Sequence, residues 1–406
     1  MTGKRIRRPH TGGAIASPFA LIACAVIAVA LIGGMIAAVQ HFLSYRPNVG
    51  VGDAEIPTAP VTEFDDKRDV TEPTNPETKP PATDPAAVRR DGFYTFLVLG
   101  RDSVGYNTDV IMLVSFDTAS HAVSAIQIPR DTYIEYNGTS HKINSLYASM
   151  YSAARRDGES DPEEGGIRRM ISVLERGLNM VIDNYAIVNL QGFRNIVDLI
   201  GGVDMYVPCD MQYSDPEQNL YIDLKEGYQN LNGEKAEQFI RFRSGYVQGD
   251  IGRNQAQKLF LNALVKKVQS SISISTVTGI AGEVLSNMKT SLTLEDFVFF
   301  GREFLSVDAK NITLITFPGA DARANGTSGA WYYVMNRTDF LSILNAYFNV
   351  FRADVTEDLF DRELIFTDET RVHIDHIYHG EPLGVQTYVH TSQEISEDGL
   401  HIDIYQ

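Results

Sequence analysis

The stretch from residue 241 to residue 257 carries the side chains best suited to binding an anion. Arg241 and Arg243 lie two residues apart around an apolar residue, so a strand here would present both guanidinium groups on one face. Planar guanidinium groups bind phosphate oxygens through paired hydrogen bonds. The stretch therefore predicts a phosphate site. The alternative is an ion-pair network, in which the arginines bind local carboxylates such as Glu237 or Asp250.

A helix should follow the two arginines. Asp250 is a suitable N-cap residue, and apolar residues recur after it with helical spacing as far as residue 268. Arg253 and Gln257 are four residues apart, so they fall on one side of the first turns. The start of this helix thus adds a third arginine and an amide to the predicted anion site.

Two aspartates and a further arginine stand where predicted strands end. Asp102 and Asp109 lie in the loop R-D-S-V-G-Y-N-T-D after a strand at 93–100, and Arg130 lies in I-P-R-D after a strand at 123–128. In α/β proteins, functional residues collect at the ends of strands and in the loops after them. Loop aspartates also cap turns, so the two carboxylates have either that structural role or a role in the site.

Strand and helix patterns alternate through the middle of the chain, which predicts a mixed β-sheet with helices on its faces. Further strand patterns occupy residues 110–116, 185–190, 203–207 and 312–317. Further helical patterns occupy residues 167–178, 192–200 and 338–351.

The N-terminal residues are typical of a membrane anchor. Residues 1–18 contain four basic residues and no acidic one, and residues 19–39 contain no charge. Twenty-one residues are enough for a helix to cross a bilayer, and the basic flank favours a cytoplasmic N-terminus. We therefore predict a cytoplasmic tail at 1–18 and a retained signal anchor at 19–39, with the rest of the chain outside the cell. Cleavage by a signal peptidase is the alternative.

The segments on either side of the predicted domain are rich in polar residues. Residues 40–92 are predicted to form a disordered extracellular stalk, because residues 46–90 hold half of the chain's 16 prolines and many acidic residues. Residues 353–406 form an acidic extension of unknown role. It contains His373, His376 and His379, but alternation places His373 and His376 on opposite faces, which favours a surface strand over a metal site.

The overall charge limits the partners. The formal net charge is −17 at pH 7, which excludes nucleic acid as a partner bound through bulk electrostatics. The two cysteines give no disulfide framework, since Cys24 lies in the apolar run and Cys209 is distant from it. Any polyanion must therefore bind at a local basic patch.

Several motifs occur in an order that resembles the LytR-CpsA-Psr family of cell-wall glycopolymer ligases. They cover roughly residues 93–268, and the domain is expected to close near 352. The motifs are F-L-V-L-G-R-D-S, T-D-V-I-M-L-V-S, I-P-R-D-T-Y, H-K-I-N-S-L-Y, the run Y-A-I-V-N-L-Q-G-F-R-N-I-V-D-L-I-G-G-V-D, L-N-G-E-K-A with R-F-R, and G-D-I-G-R-N-Q-A-Q-K. Each motif alone is weak, and their shared order is specific.

The resemblance implies a fold and an activity. The fold would be an α/β/α sandwich with a central mixed β-sheet, formed by a catalytic domain at 93–352 and preceded by one transmembrane helix. The activity would be a phosphotransferase that moves a glycopolymer, such as teichoic acid or capsule, from a polyprenyl pyrophosphate-linked precursor to peptidoglycan, with Mg²⁺ as cofactor. The reaction would take place at the outer face of the membrane, with a muramic acid hydroxyl as acceptor.

The resemblance also assigns roles to individual residues. Asp102 and Asp109 would hold Mg²⁺ and take part in catalysis together with Arg130. The pyrophosphate would be bound by seven further residues, namely Arg241, Arg243, Asp250, Arg253, Gln257, Lys142 and Arg101. Displacement at phosphorus needs little beyond positioning and cationic stabilisation, which these residue types supply.

One position departs from the family pattern. Many relatives carry an arginine two residues before the second aspartate, where this chain has Asn107. Arg101, beside Asp102, either reaches the same phosphate or faces away from it. Two other functions are compatible with the motifs. A hydrolase would use the same groups with water as acceptor, and a non-catalytic module would hold only the lipid or the wall.

Overall fold

The computed structural model describes residues 45–47, 88–101, 106–136, 139–216, 220–242, 250–271, 273–324, 331–357, 374–375 and 389–391. The chain divides into two compact units, Met1–Pro47 and Asn48–Gln406, and every helix and strand named below belongs to the second. Within the described ranges, no helix has both the length and the apolar character that crossing a membrane requires. The anchor helix predicted over residues 19–39 lies outside these ranges.

Strands and helices alternate along the described chain, as the sequence patterns predict. The strands are β1 (Phe93–Arg101), β2 (Thr108–Asp117), β3 (Ala122–Ile128), β4 (Tyr133–Tyr136), β5 (Thr139–Lys142), β6 (Asn184–Asn189), β7 (Val203–Val207), β8 (Met211–Asp215), β9 (Leu220–Leu224), β10 (Gly227–Leu231), β11 (Lys289–Thr290), β12 (Ile312–Thr316), β13 (Gly319–Ala324), β14 (Trp331–Met335), β15 (Ile374–Asp375) and β16 (Val389–Thr391). The helices are α1 (Leu146–Arg156), α2 (Pro162–Leu178), α3 (Leu190–Leu199), α4 (Gly233–Arg241), α5 (Asp250–Ser271), α6 (Ile274–Ser286), α7 (Leu294–Phe304) and α8 (Arg337–Ile343).

The main sheet has the strand order β11-β6-β1-β2-β3-β12-β16. β1 is parallel to β6, β3 is parallel to β12, and β2 runs antiparallel to both β1 and β3. Consequently β1, β3, β6 and β12 all point the same way, and their C-terminal ends lie along one edge of the sheet. β2 begins at that same edge. This edge is called the carboxyl edge below.

Helices cover both faces of the sheet because side chains alternate along each strand. Leu97 and Leu99 are fully buried in a core that includes Ile167 and Leu174 of α2. On the opposite face, the ring of Phe96 lies 4.9 Å from that of Phe300 on α7, measured between centroids. The protein is thus a mixed α/β fold with a central mixed sheet between helices.

A second, smaller core lies among β7, β8, β9 and β10 together with α3, α4 and the first half of α5. β7 shows the alternation expected of a half-buried strand, since Val203, Met205 and Val207 are buried and the residues between them are exposed. The small sheets supply the apolar surface on which α4 packs. That packing determines where the arginine at the end of α4 can lie.

The strand predicted around Arg241 and Arg243 is wrong. Arg241 is the last residue of α4, and the chain becomes extended only at Phe242. The helix forms because the Asn232 side chain accepts a hydrogen bond from the Lys235 backbone N–H at 3.0 Å and caps its start. Ala236 and Phe239 then bury one helical face. Arg243 lies outside the described residues.

Two other segments differ from their sequence patterns. The closing helix predicted at 338–351 is shorter, since α8 passes into one π-helical turn, Leu344–Phe348, and Asn349 is extended. The C-terminal segment contributes short strands to the fold: β15 pairs with β13, and β16 pairs with β12. The three histidines considered as metal ligands lie outside the described residues.

Candidate active site

The described candidate residues lie at or near the carboxyl edge of the main sheet. Arg101 ends β1, Asp109 is the second residue of β2, and Arg130 follows β3 by two residues. In open α/β sheets, ligands bind at this edge because the loops after the strands converge there. The topology therefore brings together residues that the sequence separates by up to about thirty positions.

The central contact of the site joins Asp109 and Arg130. Arg130 Nη1 donates a hydrogen bond to Asp109 Oδ1 at 3.0 Å, and the carboxylate side chain remains 55% exposed. The turn that carries Arg130 is fixed by its backbone, since the Thr132 N–H donates to the Pro129 carbonyl at 2.9 Å and the Asn144 N–H to the Arg130 carbonyl at 3.1 Å. The pair is thus held in place while remaining open to a ligand.

A second cation extends the pair along the surface. Lys142, at the end of β5, places Nζ 2.8 Å from Asp131 Oδ1, and Arg130 Nε lies 3.9 Å from Asp131 Oδ2. Charges of alternating sign therefore run from Asp109 through Arg130 and Asp131 to Lys142. Partly exposed ion pairs of this kind contribute about 0–1 kcal/mol each, so exchanging a carboxylate for a phosphate costs little stability.

Arg241 is held by a buried carboxylate. Its Nη1 lies 2.9 Å from Glu237 Oε1, one helical turn earlier, and Glu237 Oε2 lies 2.9 Å from Arg194 Nη1. Glu237 is only 8% exposed. One carboxylate therefore orients two arginines, and this matches the ion-pair alternative considered for Arg241. No sequence pattern pointed to Arg194, because it lies on α3 and contacts α4 only in the folded chain.

Gln257 connects α5 to the sheet and to the end of α4. Its Nε2 donates to the Ile240 carbonyl at 3.3 Å, and its Oε1 accepts from Gln127 Nε2 at 3.3 Å. Gln127 lies on β3 three residues before Arg130. Through these two bonds the start of α5 and the end of α4 are placed beside the same strand as Arg130.

Four of the predicted site residues are not described at the level of their side chains. Asp102 and Arg243 lie outside the described residues. Asp250 and Arg253 belong to α5, but the description of that part of the helix does not extend to side chains. Their roles therefore remain predictions from the sequence.

Arg101 faces the first turn of α2. Its Nη1 lies 3.0 Å from Glu163 Oε1, and its guanidinium carbon lies 4.9 Å from the centroid of the Tyr106 ring. Tyr106 in turn stacks on Tyr151 with centroids 3.7 Å apart. Burial lowers the pKa of Arg101, but the hydrogen bond and the charge of Glu163 outweigh burial and raise it. The residue is a fixed cation against Tyr106, on the β6 side of the site.

Among the residues that the structure describes, no group of three or more His, Cys, Asp or Glu side chains could hold a metal ion. The predicted magnesium site does not need such a group. Mg²⁺ commonly binds one or two carboxylates and completes its shell with water and phosphate oxygens. The exposed Asp109 carboxylate fits that requirement as one ligand.

Comparison with known proteins decides the family. The model described as the LytR_cpsA_psr family matches residues 61–349, well over half of the chain. The chain belongs to the LytR-CpsA-Psr family. The resemblance predicted from the order of the motifs is therefore confirmed.

Curated members of the LytR-CpsA-Psr family are similar at moderate identity. Polyisoprenyl-teichoic acid–peptidoglycan teichoic acid transferase TagV of Bacillus subtilis is 27% identical over 237 residues, which are 57% of this chain and 56% of TagV. The chain thus spans little more than half the length of that relative. The TagU transferase of Bacillus anthracis is 30% identical over 244 residues, which are 59% of this chain and 73% of TagU.

Solved structures give the same fold. The crystal structure of B. subtilis TagV aligns with a TM-score of 0.52 at 25% identity, over 63% of this chain and 95% of that one. Protein gbs0355 from Streptococcus agalactiae aligns with a TM-score of 0.52 at 20% identity, over 67% of this chain and 95% of that one. The chain therefore shares its mixed α/β architecture with these two solved structures.

Proposed function

We propose that the protein is a phosphotransferase that moves a glycopolymer from a polyprenyl pyrophosphate-linked donor to a muramic acid hydroxyl of peptidoglycan. The observation that carries the proposal is the 3.0 Å contact between Arg130 Nη1 and the exposed Asp109 carboxylate at the carboxyl edge. An exposed carboxylate beside an arginine suits a reaction that must bind a phosphate and handle a proton. The transferases TagV and TagU are named for a reaction of this class.

The donor pyrophosphate would be bound by the cations on the β3 side of the edge. Arg130, Lys142 and Arg241 are 28%, 36% and 22% exposed at their side chains, and each is oriented by a carboxylate. Fixed donors of this kind stabilise the charge that develops on phosphate oxygens, and they need no reorganisation as the reaction proceeds. Arg243, Arg253 and Gln257 complete the proposed set, with Asp250 orienting the arginines.

In the proposed reaction, the acceptor hydroxyl oxygen attacks the phosphorus next to the sugar. The new bond is O–P, the bond that breaks joins that phosphorus to the bridging oxygen, and polyprenyl phosphate leaves with the electron pair. The hydroxyl proton passes to a carboxylate, for which Asp109 and Asp102 are the candidates. Arg130 orients Asp109 toward the acceptor.

Asp102 and Asp109 would also hold Mg²⁺, which would neutralise charge on the phosphate oxygens when bound. The support for this role is the hard oxygen donor and the 55% exposure of the Asp109 side chain. The proton would then pass to whichever of the two carboxylates ligates the metal less closely. The two assignments are chemically equivalent.

The site would work outside the cell at the membrane surface. The support is the basic N-terminal tail followed by residues 19–39 without charge, which predict a signal anchor with the following chain outside. Residues 40–92 would act as the spacer between membrane and domain.

The test is transfer by the full chain in detergent micelles, given magnesium, a lipid pyrophosphate-linked glycan and peptidoglycan fragments. The proposal expects glycan joined to peptidoglycan, and it expects Asp109→Asn to abolish the product without unfolding the protein. Asp308→Asn removes an exposed aspartate that, among the described residues, pairs with nearby Lys310, so it serves as the matched control. Release of free glycan at one rate with and without peptidoglycan would instead identify a hydrolase.

A further inference from the structure

A polar cleft of about 330 Å³ lies at the carboxyl edge, between the ends of β1 and β6 and the turn after α6. Its lining includes Arg101, Asn189, Gln191, Ser286, Met288 and Lys289. Asn189 pairs in register with Arg101, so the cleft lies at the end of β1. Within its lining, Arg101 is the residue that the resemblance assigns to the donor pyrophosphate.

The cleft walls are held rigid by local bonds. The Asn189 side chain accepts from the Gly192 N–H at 2.8 Å and caps α3. Gln191 donates to Asn195 Oδ1 at 2.8 Å. A Cβ on Gly192 would lie 2.1 Å from the Asn287 carbonyl oxygen, so α3 and the turn after α6 approach as closely as glycine allows. A preformed cleft of this kind binds its ligand without the entropic cost of ordering its walls.

The charges in the cleft are balanced. Arg101 is paired with Glu163 at 3.0 Å, and Lys289 with Asp161 at 2.6 Å. Amide and hydroxyl groups on the remaining walls both donate and accept hydrogen bonds, while Ile187 and Met288 add apolar surface. Paired charges, amides and small apolar patches suit a sugar with acetamido and hydroxyl groups better than a bare phosphate.

The order of strands places the cleft on the opposite side of Asp109 from Arg130. β6 and β1 border the cleft, β2 carries Asp109, and β3 leads to Arg130. Neighbouring strands are about 4.8 Å apart, so roughly 14 Å separates β6 from β3. In displacement at phosphorus, the attacking and leaving oxygens are roughly in line on opposite sides. A leaving polyprenyl phosphate bound near Arg130 thus requires the acceptor to approach from the side of the cleft.

We propose that this cleft binds the acceptor saccharide, an acetamido sugar unit of a peptidoglycan strand, and presents its hydroxyl to the site at Asp109. The inference rests on the proposed function. Arg101 then serves the acceptor side and not the pyrophosphate, which separates it from the other arginines. Hydroxyl or acetamido groups on a donor glycan would suit the same walls, so the experiment must distinguish donor from acceptor.

The first test fills the cleft with a larger side chain. Ser286 is exposed and lines the cleft, and its hydroxyl donates to the Glu283 carbonyl of its own helix at 2.7 Å. Ser286→Trp should raise the acceptor KM of the full chain at least about tenfold, equivalent to about 1.4 kcal/mol, and leave the donor KM unchanged. Ser149→Trp is the matched control. Ser149 is an exposed serine of α1, and its hydroxyl donates to the carbonyl of Ser145, the residue before that helix, at 3.0 Å.

A second, smaller substitution tests the cleft with less risk of misfolding. Gln191→Ala removes one amide from the wall, and it should raise the acceptor KM several-fold, by about the 1 kcal/mol of one hydrogen bond, with the unfolding midpoint within about 1 °C of the parent. A rise in donor KM without a rise in acceptor KM would overturn the inference and assign the cleft to the donor glycan. Unchanged constants in both variants would also overturn it.

Binding without turnover separates this inference from the proposed function. The probe is a soluble, uncross-linked peptidoglycan fragment titrated into the full chain in the absence of donor. Weaker binding by Ser286→Trp than by Ser149→Trp supports the cleft, even if the parent protein transfers no glycan. Equal binding by both variants contradicts it, even if transfer is observed.

Discussion

Arg241 Nη1 lies 2.9 Å from Glu237 Oε1, and the second oxygen of the same carboxylate lies 2.9 Å from Arg194 Nη1. Glu237 is buried, whereas the two guanidinium groups reach partly into solvent. A buried anion thus supports two cations at the end of α4. This relationship explains how an acidic protein can present a basic patch at one place on its surface.

Glu237→Gln should weaken both the fold and donor binding. The loss of a largely buried charge partner leaves two guanidinium groups less well satisfied, at a cost of about 1–3 kcal/mol in the free energy of unfolding. The donor KM should rise more than kcat falls, because Arg241 loses its orientation. Urea unfolding and transfer kinetics measure the two effects. Glu234→Gln, an exposed acid of the same helix, is the control and should cost at most about 1 kcal/mol.

Arg130→Lys should separate charge from geometry. Lysine keeps the positive charge but loses the planar fork, so contacts with both Asp109 and a phosphate cannot be kept together. We expect kcat to fall about 10²-fold or more, the cost typical of losing one donor that stabilises transition-state charge. Arg156→Ala, whose side chain is 76% exposed, should leave kcat unchanged. A lysine variant with the parent rate would remove Arg130 from the catalytic set.

Glu175 should make stability depend on pH. Burial, as the largest effect, raises the pKa of Glu175 to about 7, Asp183 adds to the rise, and the hydrogen bond from the Ile182 N–H opposes it. The folded protein therefore holds this proton more tightly than the unfolded chain. Its contribution is fully present below the unfolded pKa, and it is lost as pH rises through about 7.

The size of the effect is on the order of 3 kcal/mol, since each unit of pKa difference corresponds to about 1.4 kcal/mol. Glu175→Gln should retain the acceptor for Ile182 and flatten the dependence between about pH 5 and pH 8. Urea unfolding across that range measures it, with Glu283→Gln, an exposed acid, as control. Parallel curves for the parent and Glu175→Gln would show that Glu175 titrates normally.

Arg89→Ala should destabilise the domain where its first strand begins. Arg89 Nη2 lies 2.5 Å from Asp183 Oδ2, and the Asp183 side chain is 1% exposed. Removing the arginine leaves a buried carboxylate with the Thr95 N–H and hydroxyl as donors. We expect a loss of about 3–5 kcal/mol in thermal or urea unfolding.

Arg90→Ala provides the comparison, because the Arg90–Asp117 pair is more exposed, at 34% and 16% of the side chains. Its loss should cost about 1 kcal/mol or less. Equal costs for the two arginines would mean that burial of Asp183 does not control this contact.

Sequence patterns predicted β1, β2, β3, β6 and β12 of the main sheet, because these strands are short apolar runs bounded by polar turns. β2 and β3 appear within two residues of the expected ends, and α2 contains the whole predicted stripe at 167–178. The prediction failed at Arg241, where two arginines around an apolar residue fit a strand locally. Asn232 caps the helix through a local bond, and the buried face of α4 packs in the core formed with β7, β9 and β10. Both favour a helix over the strand.

In the site too, residues within short motifs were predicted, whereas contacts between separate elements were not. Asp109, Arg130 and Lys142 were recognisable because each lies in a short motif next to a strand. Glu237 was considered as a carboxylate partner of the arginines, whereas Arg194 and Gln127 were not identified, since their contacts with Glu237 and Gln257 cross from one element to another. Long-range partners of this kind have no periodicity or spacing that a single sequence could reveal.

The most direct measurement of the proposed reaction follows the two phosphates of the donor. A lipid pyrophosphate-linked glycan is labelled separately at the phosphate next to the sugar and at the phosphate next to the lipid, and the full chain is given magnesium and peptidoglycan fragments. Phosphotransfer predicts that the sugar-side phosphate becomes joined to peptidoglycan while the other stays with the lipid. Both phosphates remaining with the lipid, with glycan alone on the peptidoglycan, would contradict the account.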